Sequence, residues 1–372
     1  MSPQTFRKLL VVTILTAAAA LFSVLGRFDP ATIENAGILM FPGLEDKVGE
    51  VTEIQVRDSK GALTVRRGEK GWALEDKGGY PVRDDRVRTA IIGLSELALS
   101  EPKTRLPERY ASLQVEDVDT DKSKSVELFL RNKDGNDLAN VIIGRRKFSY
   151  TDLAEGGLYV RKPGEAQSWF ATGEFGVQTD PLYWLQTRII DMPREDVATM
   201  VTVQPDGARL AISKASPDTK FFTVADLPEG ARLSSSGAPD QLGAAMDGLD
   251  LVDVVSVDGV DFSGDNIAHA QAKTFGGLVI DVDMVGKDDK IWARFVASTA
   301  GQATVEVVRQ SQDINARLSG WAFQIRDYQI RNLRMPLEAL LKPKGEEGDD
   351  EDEDDDEDEG KFMDLEDFGV TP

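Results

Sequence analysis

The residues able to do chemistry in this 372-residue chain are few and widely spaced. There is no cysteine, so disulfides, thiol catalysis and Cys metal sites are excluded. A single histidine, His269, rules out His-rich metal sites and makes it the sole base available to a Ser-His-Asp arrangement. Ser100 and Lys103 form Ser-x-x-Lys, the nucleophile spacing of penicillin-recognising enzymes, but Ser-Asp-Asn and Lys-Thr-Gly partners are missing and Pro102 breaks the helix such a serine needs. Asp367-Phe368-Gly369 resembles the kinase metal-binding triplet without the loops that give it meaning. Asp253, Asp258, Asp261 and Asp265 crowd one stretch with Gly259, Gly264 and Asn266. Oxygen ligands there suit Ca²⁺, so Asp258, Asp261 and Asp265 are weak metal candidates, although the spacing misses the EF-hand pattern and Asp-Gly turns alone produce such loops. Trp72, Trp169, Trp184, Trp292 and Trp321 could stack on sugars, but their placement at strand positions fits core packing better. No cofactor is implied, and the reading is of a non-enzyme.

Charge is concentrated at one end. Net charge is −22, yet 346–359 is acidic at every position except Gly348, and the remainder carries only about −9. A mildly acidic body argues against a basic nucleic-acid or lipid face. The acidic run cannot collapse and is expected to be disordered. It leads to Phe362, Met363, Leu365 and Phe368, four apolar residues on a tether, a pattern that resembles a docking peptide. Phe362, Leu365 and Phe368 are therefore candidate partner-binding residues.

At the other end, Arg7 and Lys8 precede a charge-free run from Leu9 to Leu25, followed by Gly26 and Arg27. As a helix it spans roughly 25 Å, short for a bilayer core but workable. The positive-inside rule puts residue 1 in the cytoplasm and the body across the membrane. The rival readings are a signal peptide cleaved near Ala17–Ala20 and a buried core helix. The expected organisation is an anchor (1–27), a linker (28–47), two modules (48–180 and 181–341) and the tail (342–372).

Within the body, alternating segments predict antiparallel strands. Val51–Arg57, Ala62–Arg67 and Gly71–Glu75 read as a meander, Asp84-Asp85 as the cap of a helix bearing Val87, Ile91, Leu94 and Ala98, and Ser125–Arg131 with Leu138–Ile143 as a hairpin across Asn132-Lys133-Asp134-Gly135. Strands at Leu158–Arg161 and Ser168–Ala171 follow. A second pass looks alike: Ala198–Val203, Arg209–Ser213 and Phe221–Val224, a helix carrying Leu242, Ala245, Met246 and Leu249, and a hairpin of Leu278–Asp283 with Ile291–Ala297. An offset of 152 maps Leu94, Leu97 and Leu99 onto Met246, Leu249 and Leu251, and Val126, Leu128 and Leu130 onto Leu278, Ile280 and Val282. The fold expected is α+β: a tandem duplicated module, each an antiparallel sheet with one packed helix, after an N-terminal transmembrane helix. Asp180-Pro181 starts a connecting helix, Trp321–Ile325 reads as a last strand, and Pro336–Leu341 as a short helical closure.

Phe41-Pro42-Gly43-Leu44, Gly71-Trp72-Ala73-Leu74, Tyr80-Pro81-Val82, Glu101-Pro102-Lys103-Thr104, Ile142-Ile143-Gly144, Tyr159-Val160-Arg161 and Trp184-Leu185 before Arg188-Ile189-Ile190 occur in an order that resembles the bacterial domain of unknown function 4340 family. The resemblance runs from the anchor to about residue 341. It implies an auxiliary component of an ABC-type export system of the gliding-motility kind, whose partner is a permease and ATPase complex in the inner membrane. The family has no established activity, so no catalytic residue carries over, and the acidic tail departs from its pattern. The expectation is a single-pass inner-membrane protein with a periplasmic body that assists an ABC transporter. Its rivals are a periplasmic glycan- or lipid-binding module and, more remotely, a carboxylate-dependent hydrolase.

Overall fold

The computed structural model describes residues 37–148, 156–173, 175–225 and 227–342. The Leu9–Leu25 run and the tail with Phe362, Leu365 and Phe368 lie outside them. Among the described residues no helix is long and apolar enough to cross a membrane.

The chain is mostly antiparallel sheet with few helices, an α+β arrangement. The first half contributes β1 (Ile38–Leu39), β2 (Val51–Asp58), β3 (Gly61–Gly68), β4 (Gly71–Leu74), β5 (Tyr80–Pro81), helix α1 (Asp84–Ser95), β6 (Ala98–Pro102), the single turn α2 (Tyr110–Leu113), β7 (Val126–Asn132), β8 (Asp137–Lys147), β9 (Gly157–Arg161) and β10 (Ser168–Thr172). These strands form one sheet in the order β1-β6-β10-β9-β8-β7-β2-β3-β4-β5. A short helix, α3 (Pro181–Trp184), leads to β11 (Arg188–Ile190), β12 (Val197–Val203), β13 (Arg209–Ser213), β14 (Thr223–Val224), α4 (Asp240–Gly243), β15 (Leu249–Ser256), β16 (Ile267–Thr274), β17 (Leu278–Lys287), β18 (Lys290–Thr299), α5 (Val305–Leu318), β19 (Trp321–Ile325) and α6 (Asp327–Leu333). The second sheet runs β11-β15-β19-β18-β17-β16-β12-β13-β14.

Position by position the two orders match, with β1 at the place of β11, β6 of β15, β10 of β19, β9 of β18, β8 of β17, β7 of β16, and β2, β3 and β4 of β12, β13 and β14. The register is equally parallel. Leu63, Val56, Leu128 and Val141 lie side by side across the first sheet, and Leu210, Thr202, Ala270 and Val282 across the second. This corrects the alignment read from the sequence. The offset of 152 holds from α1 and β6 to α4 and β15, but it then lands one strand too far, pairing β7 with β17. The segment between β15 and β16 (257–266) is less than half as long as that between β6 and β7 (103–125), and all inward-facing strands look alike to a hydrophobic pattern.

The helices differ more. Val87, Ala90, Ile91 and Leu94 bury the inner face of α1, but the helix ends at Ser95 and Ala98, expected on the same stripe, opens β6. Asp84 and Asp85 sit in its first turn, where they favour the helix dipole. The capping position itself is Arg83, without a side-chain cap, and Asp85 binds the Arg83 guanidinium. Among the described residues between β14 and β15 the helical turn is Asp240–Gly243, and Leu249 already belongs to the strand. The long helix there is α5, capped by Thr304, between β18 and β19. The expectation of one equivalent helix per module is thus corrected.

The connector is part of the interior. Asp180 caps α3 by accepting from the Leu182 amide, as the Asp-Pro pair predicted. Trp184, Leu185, Ile189 and Ile190 are all buried, and one apolar core continues from Met40 to Leu340. Main chain crosses between the halves here: Arg83 N–H donates to the Trp184 carbonyl at 2.8 Å, and Val82 bridges Leu185. Tyr80 is central to this seam. Its ring meets Trp321 and Phe323 edge-on with centroids 5.1 and 6.0 Å away, and its hydroxyl donates to the Gln186 carbonyl at 3.1 Å. Lys77 and Asp253 close one side at 2.6 Å.

Burial pushes the Tyr80 phenol from 10.0 up to about 12. A raised folded-state value means stability is fully present below the unfolded pKa and falls as pH rises through the folded one. Between pH about 10 and about 12, Tyr80 should therefore remove on the order of 2–3 kcal/mol. Urea denaturation at pH 9 and pH 11.5 checks this: Tyr80→Phe should be less stable at pH 9 but lose less on the rise than the parent.

Candidate functional site

The fold opens between β18 and β19. These strands pair only at Trp292–Gln324 and Ala293–Phe323, and β19 then follows β15. Their counterparts β9 and β10 pair along five residues. Beyond Ala293, β18 has no strand on that side, and α5 lies there instead. Asn315 takes over the missing ladder. Its Oδ1 accepts from the Ala297 amide at 2.8 Å, and its Nδ2 donates to the Ala297 carbonyl at 2.7 Å. A carboxamide has both a donor and an acceptor, so one side chain satisfies both backbone groups. Ile314 and Leu318 fill the space beneath.

Under α5 this leaves a cleft of about 710 Å³. Its floor is apolar, with Ile190, Met192, Leu278 and Ile314. Its walls are acidic: Asp191 and Asp196 on one side, Glu306 and Asp313 along α5. Asp191 is held by Arg188 at 3.1 Å, and Glu306 approaches Arg309 at 3.7 Å. Arg317 is the one cation in the lining, and its guanidinium donates to the Arg188 carbonyl at 2.6 Å. Phe275 at the mouth is about one-third exposed, and Val308 on α5 likewise. An apolar floor with a carboxylate rim suits a ligand that is apolar along one side and positively charged along another.

The residues singled out from the sequence lie elsewhere. Ser100 is on β6, not a helix, and Lys103 forms an ion pair with Glu101, so the two make no nucleophile–base pair. Asp253 is on β15, paired with Lys77, rather than in the loop. Asp258, Asp261 and Asp265 are exposed in 257–266, which folds over a small core of Val260, Phe262, Ile267, Trp292 and Ala322. Asp261 Oδ1 accepts from the Ser263 amide and hydroxyl, which holds its carboxyl below the usual range. Two cations already face this loop: Lys287 donates to the Gly259 carbonyl at 2.5 Å, and the Arg294 guanidinium stacks 4.8 Å from the Phe262 ring. Among the described residues, no three His, Asp or Glu side chains gather as a metal site. His269 stands opposite Asp283 on the outer face, with Nδ1 2.6 Å from Oδ1, and Arg294 holds the other oxygen at 2.8 Å.

The tryptophans are packing residues. Trp184 is fully buried and sits in α3 rather than on a strand, donating to the Gln178 carbonyl. Trp292 is buried in the loop-side core, and Trp169 and Trp321 are half-buried against the main core. Trp72 also borders a groove of about 330 Å³ with Val48, Val87 and Ile91. The cleft acids escaped sequence reading because α5 was not recognised. Glu306, Gln310, Asp313 and Arg317 follow helical spacing and form one stripe once the helix is known.

The fold is an antiparallel, two-sheet α+β arrangement with an open cleft under α5. The family described as "Domain of unknown function (DUF4340)" matches residues 72–264, more than half of the chain, and the chain belongs to that family. Comparison with curated proteins and with solved structures returns no match. The matched stretch ends before α5.

Asn315→Leu should leave both Ala297 groups unpaired and lower the unfolding free energy by about 2–4 kcal/mol in urea titration. Gln310→Leu on the exposed face of the same helix should change it by no more than about 0.5 kcal/mol.

Proposed function

We propose that this protein is a non-enzymatic accessory subunit of an ABC-type transport system, anchored by Leu9–Leu25 with its body on the periplasmic side of the inner membrane. The N-terminal charge pattern, the lack of cysteine and the family resemblance support the setting. The observation that carries the binding role is the α5 cleft, with its apolar floor and the carboxylates Asp191, Asp196, Glu306 and Asp313. A basic amphipathic segment of the permease or of an associated envelope protein has the complementary chemistry. The matching strand orders support descent of the two halves from one duplicated module, the second of which gained α5 and with it a binding surface.

The glycan- or lipid-binding alternative has one foothold, the groove beside Trp72. The two readings separate by experiment. Full-length protein purified in detergent should recover the cognate permease, and Glu306→Gln with Asp313→Asn should cut that recovery about five-fold while leaving Trp72→Ala recovery unchanged. Loss with Trp72→Ala alone would transfer the role to the groove. A periplasmic reporter fused after Pro372 should be active; a reporter active only in the cytoplasm would end the proposed setting.

A further inference from the structure

A cluster of cations stands on the outer face of the first sheet, and none of it lines the α5 cleft. Arg145 and Lys147 end β8, and Lys103 follows β6. Between them β9 and β10 carry Tyr159 and Phe170 side by side, with ring centroids 5.5 Å apart. The β8–β9 ladder shifts register between Ile143 and Arg146, and the Arg145 guanidinium lies 5.8 Å from the centre of the Tyr159 ring. The Lys103 and Lys147 ammonium groups both lie over Phe170, at 5.6 and 5.9 Å. That ring needs Gly157 beside it, since a Cβ there would come within 2.6 Å of it. One carboxylate answers the three cations. Glu101 accepts from Lys103, whose ammonium, with a smaller share from Lys147, holds the Glu101 carboxyl below its usual range. Arg145 forms no ion pair with any described residue; the Tyr159 ring is its contact. Arg146 lies apart, beside Gly176. Arg145 and Lys147 are exposed, and so is Phe148, at 67%. An excess of cations seated on aromatic rings, with an apolar side chain alongside, suits the phosphate headgroups of an anionic lipid surface.

The tether points the same way. The described chain starts at Gly37, whose amide donates to the Leu99 carbonyl, and β1 forms the edge of the sheet beside β6. Eleven residues (26–36) separate the Leu9–Leu25 run from Gly37, a span of at most about 40 Å when fully extended. β6, β10, β9 and β8 follow β1 in order, and strands lie about 4.8 Å apart, so the patch starts one strand from the tether and ends about 19 Å from it. With the run in a bilayer, this part of the body is held within reach of the headgroups. The body's net charge of about −9 is an average that conceals the patch. We infer that Lys103, Arg145 and Lys147 rest on anionic lipid headgroups, with Phe148 at the interface, and so fix how the body stands over the membrane. The inference rests on the membrane anchor proposed above. Each exposed cation near an anionic surface contributes roughly a five-fold bias. A few such cations set orientation without acting as a second anchor.

The test uses the full chain in lipid nanodiscs, and its lack of cysteine allows a single label. Phe148→Cys carrying a fluorophore should be quenched by spin-labelled headgroups in discs with about one-third phosphatidylglycerol, and far less in neutral phosphatidylcholine discs. The quenching should vanish at 1 M salt, where the Debye length is about 3 Å. Arg145→Gln with Lys147→Gln should lower the docked-to-undocked ratio about twenty-five-fold. Glu101→Gln should raise it about five-fold, the opposite sign, because it removes the carboxylate of the patch. All three side chains are exposed, so these changes leave the fold intact. Quenching that ignores lipid charge, or that neither variant moves, would overturn the inference. So would insensitivity to lipid charge combined with loss of permease recovery in the double variant, which would give the patch to an acidic protein surface. Failure of the anchor looks different: the chain then elutes apart from discs of both compositions. In that event pelleting with phosphatidylglycerol vesicles, lost in the double variant, upholds the patch, and no pelleting ends it.

Discussion

Everything in this protein hangs on the seam around Tyr80. The first sheet has β5, a two-residue strand, at its edge, and the second begins with β11 after the connector 173–187 that carries α3. Tyr80, Val82 and Arg83 on one side and Trp184, Leu185 and Gln186 on the other trade main-chain and side-chain hydrogen bonds, and the aromatic rings of Trp321 and Phe323 complete the packing. The result is one interior where the repeat suggests two. Lys77 and Asp253 tie the same junction electrostatically, which is why an aspartate that reads as a loop ligand serves as a structural ion pair.

With the seam in place, the second half is free to vary where the first cannot. Both sheets keep the same order of strands, yet β18 and β19 separate after two pairs, while β9 and β10 stay together. Separation strands a backbone amide and carbonyl at Ala297, and Asn315 meets both. The helix that brings Asn315 also brings Glu306 and Asp313 over an apolar floor. A polar accommodation to broken sheet geometry and a candidate binding surface are thus one event, and the second follows from the first.

Much of this was legible in the residues. Strands rich in Val, Ile and Leu announced themselves, as did the Asn-Lys-Asp-Gly turn, the Asp-Pro start of α3, the closing strand Trp321–Ile325 and the family. What was hidden had physical reasons. In β16 the buried side is Ala268, Ala270 and Ala272, too small to register as a hydrophobic stripe beside His269, Gln271 and Lys273. In α5 Val305 and Val308 point outward while Ser311 and Asn315 point inward, which blurs the helical period. The slipped alignment between β7 and β17 arose because alternation marks a strand but carries no information about its neighbour. The cleft was invisible for the same reason: Asp191 and Asp196 meet Glu306 and Asp313 only through the sheet order.

That order also sets a timetable. Most neighbouring strands are consecutive in sequence, but in each sheet a few pairings join distant parts of the chain. β2 waits for β7 on one side, β6 is flanked by β1 and β10, and β15, beside β11 on one edge, finds its other neighbour in β19, at residues 321–325. Pairings of such long sequence separation are slow to nucleate, since loop entropy is lost before contacts compensate it. A ribosome or a translocation channel delivering this chain from its N-terminus releases Trp321 when all but the last fifty or so residues have emerged. Until then one edge of β15 stays unpaired, and an unpaired strand edge is a template for pairing with another chain.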